Sequence, residues 1–187
     1  AAGPWSTELE SELLPFVKTE RQVLHWFEPQ TNIAKFSAPD FPVYIWYLND
    51  SDIIYGFPYF SGGRKGVKLA LESSDVRCTP HNIDRKVSEE ETQRVRDIIR
   101  QKIPRLSGNC VGTATCMYSP TTDNNFIVGV HSLYPSVIIL AGFLDSGFKF
   151  SSAIGEIAKD LIIAGQCSLP LEKLAPKRLD SPNLECS

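Results

Sequence analysis

Val67-Lys68-Leu69-Ala70-Leu71-Glu72 alternates apolar residues with a lysine, an alanine and a carboxylate. A period of two means a half-buried strand, with Val67, Leu69 and Leu71 in a core and Lys68 and Glu72 on the opposite face. Working upstream, residues 53–55 and 43–48 read as two further strands, joined by the turn Asn49-Asp50-Ser51-Asp52 into a hairpin. The bend Ser61-Gly62-Gly63 separates that hairpin from Val67, and residues 23–28, rich in aromatic and branched side chains, form an earlier strand. At the start, Ser6 is expected to cap a short helix with Glu8 and Glu10 in its first turn and Leu9 and Leu13 on one face.

Downstream, Ser88-Glu89-Glu90-Glu91 is a capping box. The helix after it places Val95, Ile98, Ile99 and Ile103 on one stripe and stops near Pro104. A Thr-rich strand around Cys116, a short strand at residues 126–128 and a buried strand at 137–140 follow, with Pro120, Asp123 and Asn124 marking the turn between the first two. The last helix is predicted to begin near Ser151-Ser152, to bury Ile154, Ile157, Ala158, Leu161 and Ile162, and to end at Gly165. The tail from Ser168 reads as irregular. Strands in succession with few helices between them predict an α+β fold with a mixed, mostly antiparallel sheet and flanking helices.

The formal net charge of -3, without a basic run, excludes a nucleic-acid partner, and the longest apolar stretch, residues 137–143, is too short to span a bilayer. The opening Ala1-Ala2-Gly3-Pro4-Trp5 has no signal-peptide character and reads as the end of a buried strand running into a turn, so the chain is expected to be part of a longer one. Five cysteines without metal-type spacing predict a reducing compartment, the cytoplasm by default, and no metal site. His25, His81 and His131 are scattered and read as surface or hydrogen-bonded residues.

No Gly-rich dinucleotide loop, phosphate loop, HExxH or GxSxG occurs. Lys68 faces either solvent or a cavity, and in a cavity its charge could stabilise an anion formed in a reaction. Glu72, on the same face and about 13 Å along the strand, is too far for a direct ion pair. Cys116 by itself is a small buried residue, with Tyr118 on its strand face, and Lys149 falls after a strand and before a helix, where α/β folds hold phosphates and substrates.

Taken together and in order, Cys116-Met117-Tyr118, Thr122-Asp123-Asn124-Asn125-Phe126-Ile127-Val128, Ala141-Gly142-Phe143 and Gly147-Phe148-Lys149-Phe150-Ser151-Ser152 resemble the C-terminal signature of the monomeric sarcosine oxidase and N-methyltryptophan oxidase family. Tyr55-Gly56-Phe57-Pro58 with Gly66-Val67-Lys68-Leu69 resembles the substrate-domain hairpin of that family. The resemblance covers about residues 1–165 and implies FAD as cofactor, hydride transfer from a secondary amine, and reoxidation by O2 to hydrogen peroxide. It implies remnants of an FAD-binding domain at residues 1–15, a substrate domain at 16–115, a flavin-contacting segment at 116–166 and an irregular tail at 167–187. The missing N-terminal FAD-binding half would be the partner of this chain.

On the same resemblance, Cys116 joins the flavin covalently and Lys68 promotes its reaction with oxygen. Tyr55 and Tyr118 line the substrate pocket with catalytic roles, and Lys149 holds the substrate carboxylate. Met117, Gly142, Phe143, Gly147, Phe148 and Lys149 contact the cofactor. Glu72 stands where relatives often have histidine, Leu144-Asp145-Ser146 departs from their Ser-Gly-His, and the glycine-rich hairpin is lengthened by Arg64 and Lys65. These departures leave the amine open: sarcosine or another N-methyl amino acid, a bulkier adduct such as a glycated amino acid, or no reaction at all in a binding module derived from a flavoenzyme.

Overall fold

The computed structural model describes residues 2–49, 52–72 and 76–180. Among them are strands β1 (Glu20–Phe27), β2 (Tyr44–Tyr47), β3 (Ile53–Gly56), β4 (Val67–Glu72), β5 (Cys110–Tyr118), β6 (Ile127–Val130) and β7 (Ile138–Ala141), with helices α1 (Ser6–Leu9), α2 (Glu89–Lys102) and α3 (Gly147–Ala164). The chain divides into two compact units, one of residues 21–78 and 82–116, the other of residues 1–20, 79–81 and 117–187.

The first unit carries a five-stranded sheet in the order β2-β3-β4-β1-β5. The alternation in β4 behaves as its period demands. Val67, Leu69 and Leu71 are buried with Phe27 and Ile54, and Val95, Ile99 and Leu106 join them in one core. Strand β4 runs antiparallel to β1, where Trp26 lies opposite Lys68, and to β3, where Tyr55 lies opposite Ala70. Strand β2 pairs with β3 as the expected hairpin, Tyr44 opposite Gly56; residues 50 and 51 of the expected turn lie outside the described residues. Helix α2 is closed at its start by the capping box: the Glu91 N–H donates to Ser88 Oγ at 3.1 Å, and the Ser88 N–H donates to Glu91 Oε2 at 2.8 Å. Its buried stripe is Val95 and Ile99, with Ile98 and Ile103 partly covered.

In the second unit, β6 and β7 form an antiparallel ribbon with Val128 opposite Leu140. Both faces are covered, which explains their short continuous apolar runs. Ile127, Ile139 and Ala141 pack with Leu13 and Val17, while Val128 packs with Ile157 and Leu161 of α3. Gly165, at φ 68°, ends α3 in the left-handed conformation.

Several expectations need correcting. The opening is a 3-10 turn, Gly3–Trp5, rather than the end of a strand. Ser6 is the first residue of α1 instead of its cap; it is buried, while Leu9 is exposed. The helix near Ser151 begins four residues earlier, at Gly147, because Gly142 and Leu144 turn the chain directly after β7. Ile162 is 71% exposed and does not belong to the buried stripe. Val137 lies before β7 and is 42% exposed. The tail contains a 3-10 helix at Pro176–Asp180, held by Arg178 against Asp123 at 2.7 Å. Among the described residues, no helix is long and apolar enough to cross a membrane.

Candidate active site

The face of the five-stranded sheet opposite the α2 core carries Lys68, Tyr55 and Glu72, three of the residues predicted for the site. Because Trp26 and Lys68 are register partners on antiparallel strands, their side chains share that face. The Lys68 ammonium lies 6.0 Å from the Trp26 ring centroid and 5.0 Å from that of Phe57. Phe57 in turn stands edge-on to Tyr55, with centroids 6.1 Å apart. A cation held against ring faces keeps its charge while losing part of its water shell, and its field then acts strongly on anything bound beside it.

Cys116, half-buried near the end of β5, lies within electrostatic reach of Lys68. Burial pushes its thiol pKa up, and the Lys68 charge pulls against that shift. A thiol so placed is a protonated, protected sulfur in this chain, with one neighbouring charge that favours the thiolate. Glu72 ends β4 opposite Ile53, on the Lys68 side of the strand.

The hairpin between β3 and β4 brings in a cation to which sequence reasoning gave no role. The Arg64 guanidinium lies 4.7 Å from the Trp26 centroid and donates to the Thr113 carbonyl at 3.0 Å. The loop returns to β4 through Gly66 at φ +94°, where a Cβ would meet Val111 and the Phe27 carbonyl, so glycine is required for this close approach.

The other predicted residues belong to the second unit. Tyr118 and Met117 are half-buried at the end of β5. Gly142 has φ +70°, and a Cβ there would strike Thr121. Leu144 also sits at positive φ, 49°, without glycine's freedom, a strained position of the sort that clusters at functional loops. Phe143 packs edge-on against Phe126 at 5.1 Å. Gly147, Phe148 and Lys149 form the first turn of α3, so Lys149 is a helical residue rather than a loop one. Ser146 makes no side-chain cap there, and no acidic residue occupies the first turn. The first backbone N–H groups of α3 thus receive no side-chain cap from Ser146, and the Lys149 ammonium of the same turn lies 5.6 Å from the Phe150 ring centroid. These residues suit an anionic group.

The histidines separate into three kinds. His81 is exposed and pairs with Glu8 at 3.0 Å. His131 is buried; its Nδ1 accepts from the N–H groups of Leu133 and Tyr134 at 3.0 and 3.3 Å, which puts its proton on Nε2, 3.0 Å from Glu10. Glu10, Glu12 and His131 bring one ligand atom each within 4.8 Å of one another. A metal would need the Nε2 lone pair that this tautomer withholds, so the group reads as a hydrogen-bonded node. His25 corrects the expectation of a surface or hydrogen-bonded residue: it is 1% exposed, and neither ring nitrogen finds a partner among the described residues. Burial pulls its pKa down to about 4, with the Glu91 carboxylate opposing the shift. It borders a cavity of ≈ 70 Å³ together with Arg21, Leu71, Glu91 and Arg94. Neither this cavity nor one of ≈ 360 Å³ between Leu13, His131 and Leu179 is lined by a residue given a site role from the sequence.

Residues 1–161 match the family described as DAO, FAD dependent oxidoreductase. The chain belongs to this family of flavin-dependent oxidoreductases. It is 39% identical over 179 residues to the monomeric sarcosine oxidase of Streptomyces avermitilis, covering 95% of this chain and 46% of that protein. To the N-methyl-L-tryptophan oxidase of Shigella dysenteriae it is 29% identical over 164 residues, covering 85% of this chain and 41% of that protein. The fold is that of fructosamine oxidase from Aspergillus fumigatus (TM-score 0.73, 18% identity, 94% of this chain and 43% of the other). NikD, an amino acid oxidase of nikkomycin biosynthesis, also shares it (TM-score 0.68, 20% identity, 93% and 46%). The chain thus spans less than half the length of the curated relatives it matches.

Proposed function

We propose that the protein containing this chain is an FAD-dependent oxidase that acts on the C–N bond of a secondary-amine amino acid. The observation that carries the reading is the Lys68 ammonium, held over Trp26 and Phe57, with its charge felt at the Cys116 thiol. FAD, when bound, would accept the hydride and pass its electrons to O2. Residues 1–15 and 116–166 would belong with the FAD-binding half, residues 16–115 would form the substrate domain, and 167–187 a tail. The pyrophosphate-binding loop would come from the N-terminal half, which the 187 residues do not include, so this chain alone should bind no FAD.

Cys116 would carry the flavin covalently, with Lys68 as the neighbouring charge that favours its thiolate. In catalysis Lys68 supplies a fixed positive charge where negative charge develops on oxygen, a role that needs no proton transfer and suits a half-desolvated cation. Lys149, on the uncapped first turn of α3, binds the substrate carboxylate as a point charge backed by the helix N-terminus. Tyr55, Tyr118 and Glu72 border the amine, and Met117, Gly142, Phe143, Gly147 and Phe148 contact the ring system. The Ser-Gly-His to Leu144-Asp145-Ser146 change and Glu72 favour an amine larger than sarcosine. The protein is read as cytoplasmic.

Lys68→Met in the intact enzyme provides the test. Reoxidation of the reduced flavin should slow by about a hundredfold or more, while anaerobic reduction by the amine changes far less. Equal loss in both half-reactions would remove the oxygen role from Lys68.

A further inference from the structure

The net charge of the chain is -3, and several of its cations are paired with carboxylates, among them Arg21 with Glu91, Lys65 with Glu28, Arg94 with Asp52 and Arg178 with Asp123. Arg64 and Lys68 differ. Among the described residues neither has a carboxylate partner, yet both lie against the same indole, Arg64 at 4.7 Å and Lys68 at 6.0 Å from its centroid. Their charges can be no farther apart than those two distances added together. Like charges on one ring repel.

The neighbouring residue makes the contrast sharper. Lys65, inserted beside Arg64, is neutralised by Glu28 at 2.9 Å and needs no further partner. Arg64 spends one of its five donors on Thr113 and is oriented by the Trp26 face. Its remaining donors form a planar fork, the geometry that a carboxylate accepts bidentately. Stacking on Trp26 means that little side-chain freedom is left to lose on binding. Gly66, which admits no side chain, fixes where the loop rejoins β4.

We infer that Arg64 is a specificity-determining residue that takes a second carboxylate of the substrate, so that the preferred amine is an N-substituted dicarboxylic amino acid. The inference rests on the proposed oxidase reading, since Lys68 and Tyr55 on the same face are what put the reacting amine near Arg64. Arg64 would hold the carboxylate distal to the reacting nitrogen. A substrate with a neutral tail leaves the Arg64–Lys68 repulsion uncompensated, and one with a cationic tail increases it.

The test uses the intact flavoprotein, comparing N-methyl-aspartate with sarcosine, and wild type with Arg64→Ala and Arg64→Lys. N-methyl-aspartate should be preferred by the wild type. In Arg64→Ala its KM should rise roughly ten- to a hundredfold with kcat within about twofold, while kcat/KM for sarcosine stays within about twofold. Arg64→Lys should recover only part, because an ammonium cannot pair bidentately. Thiodiacetate, a dicarboxylate that cannot be oxidised as an amine, gives a turnover-free readout: it should perturb the flavin spectrum of the wild type and bind at least tenfold more weakly to Arg64→Ala. Flavin content checks that each variant is folded. Equal loss for both amines, or unchanged thiodiacetate affinity, overturns the Arg64 role while leaving the oxidase reading standing. Failure to oxidise any secondary amine, with thiodiacetate still bound through Arg64, would overturn the oxidase reading instead.

Discussion

Helix α2 is capped at its start and charge-matched at both ends, whereas α3 closes on Gly165 but has no side-chain cap at its start and keeps one flank exposed. In α2 the capping box holds the first turn, Glu89, Glu90 and Glu91 meet the positive end of the helix dipole, and Arg100 and Lys102 meet the negative end. Its apolar stripe is consumed by the sheet core. In α3 no side chain caps the start, no acid lies in the first turn and no base in the last. Ile157 and Leu161 are buried on the ribbon, but Phe148, Ile162 and Ile163 are 93, 71 and 77% exposed. The difference separates a helix whose apolar residues the fold uses from one that keeps large apolar residues exposed beside its buried stripe. A sequence that spends large apolar residues on an outer flank gains nothing from them until another surface arrives.

Three measurements would break or sharpen that contrast, the largest effect first. Ile99→Ala, deleting a fully buried side chain of α2, should cost about 2–5 kcal/mol, read as a shift in the urea midpoint. Ile163→Ala in the 187-residue chain should change stability by no more than about 0.5 kcal/mol. An equal cost at the two positions would mean that the outer flank of α3 is already covered.

The second concerns the layer beneath α2. His25 stays neutral in the fold, with a pKa of about 4, below the ordinary 6.5. Between those values the unfolded chain takes up a proton that the folded chain refuses, so stability is full above pH 6.5 and falls as the pH drops towards 4. The loss should be on the order of 2–3 kcal/mol. His25→Leu should flatten the denaturation profile across that window; an unchanged slope would show that His25 is not its source.

The third and smallest compares the two helix starts. Ser88→Ala should cost about 1 kcal/mol through loss of the cap, and Ser146→Ala no more than a few tenths, as Ser146 caps nothing. Similar costs would show that the bond Ser146 Oγ donates to Asp145 Oδ1 at 2.8 Å stabilises the fold as much as a cap does.

Much of the fold was legible in the chain because its signals are local. The alternation of β4, the Ser88–Glu91 box and Gly165 each depend on residues within one turn or one strand, and each lies where its pattern placed it. The errors fell where a local pattern competes with a neighbour. The start of α3 was read too late because Phe148 and Lys149 interrupt the apolar period, although the tight turn at Gly142 and Leu144 lets the helix begin at Gly147. Ile162 fits the period of the buried stripe, yet the ribbon beneath α3 is only two strands wide and leaves it outside.

By itself the sequence determined the class of fold, the strand that faces Lys68 away from the core, the family signature around Cys116 and Lys149, and the absence of metal-type spacing. All of these are written in periods, caps and short ordered motifs. Tertiary structure alone decided that Arg64 shares an indole with Lys68, that His131 is held by Glu10 across most of the chain, and that His25 is buried without a partner among the described residues. Those contacts depend on strand register and on where a loop returns, and neither leaves a trace in the spacing of residues that meet only after the chain has folded.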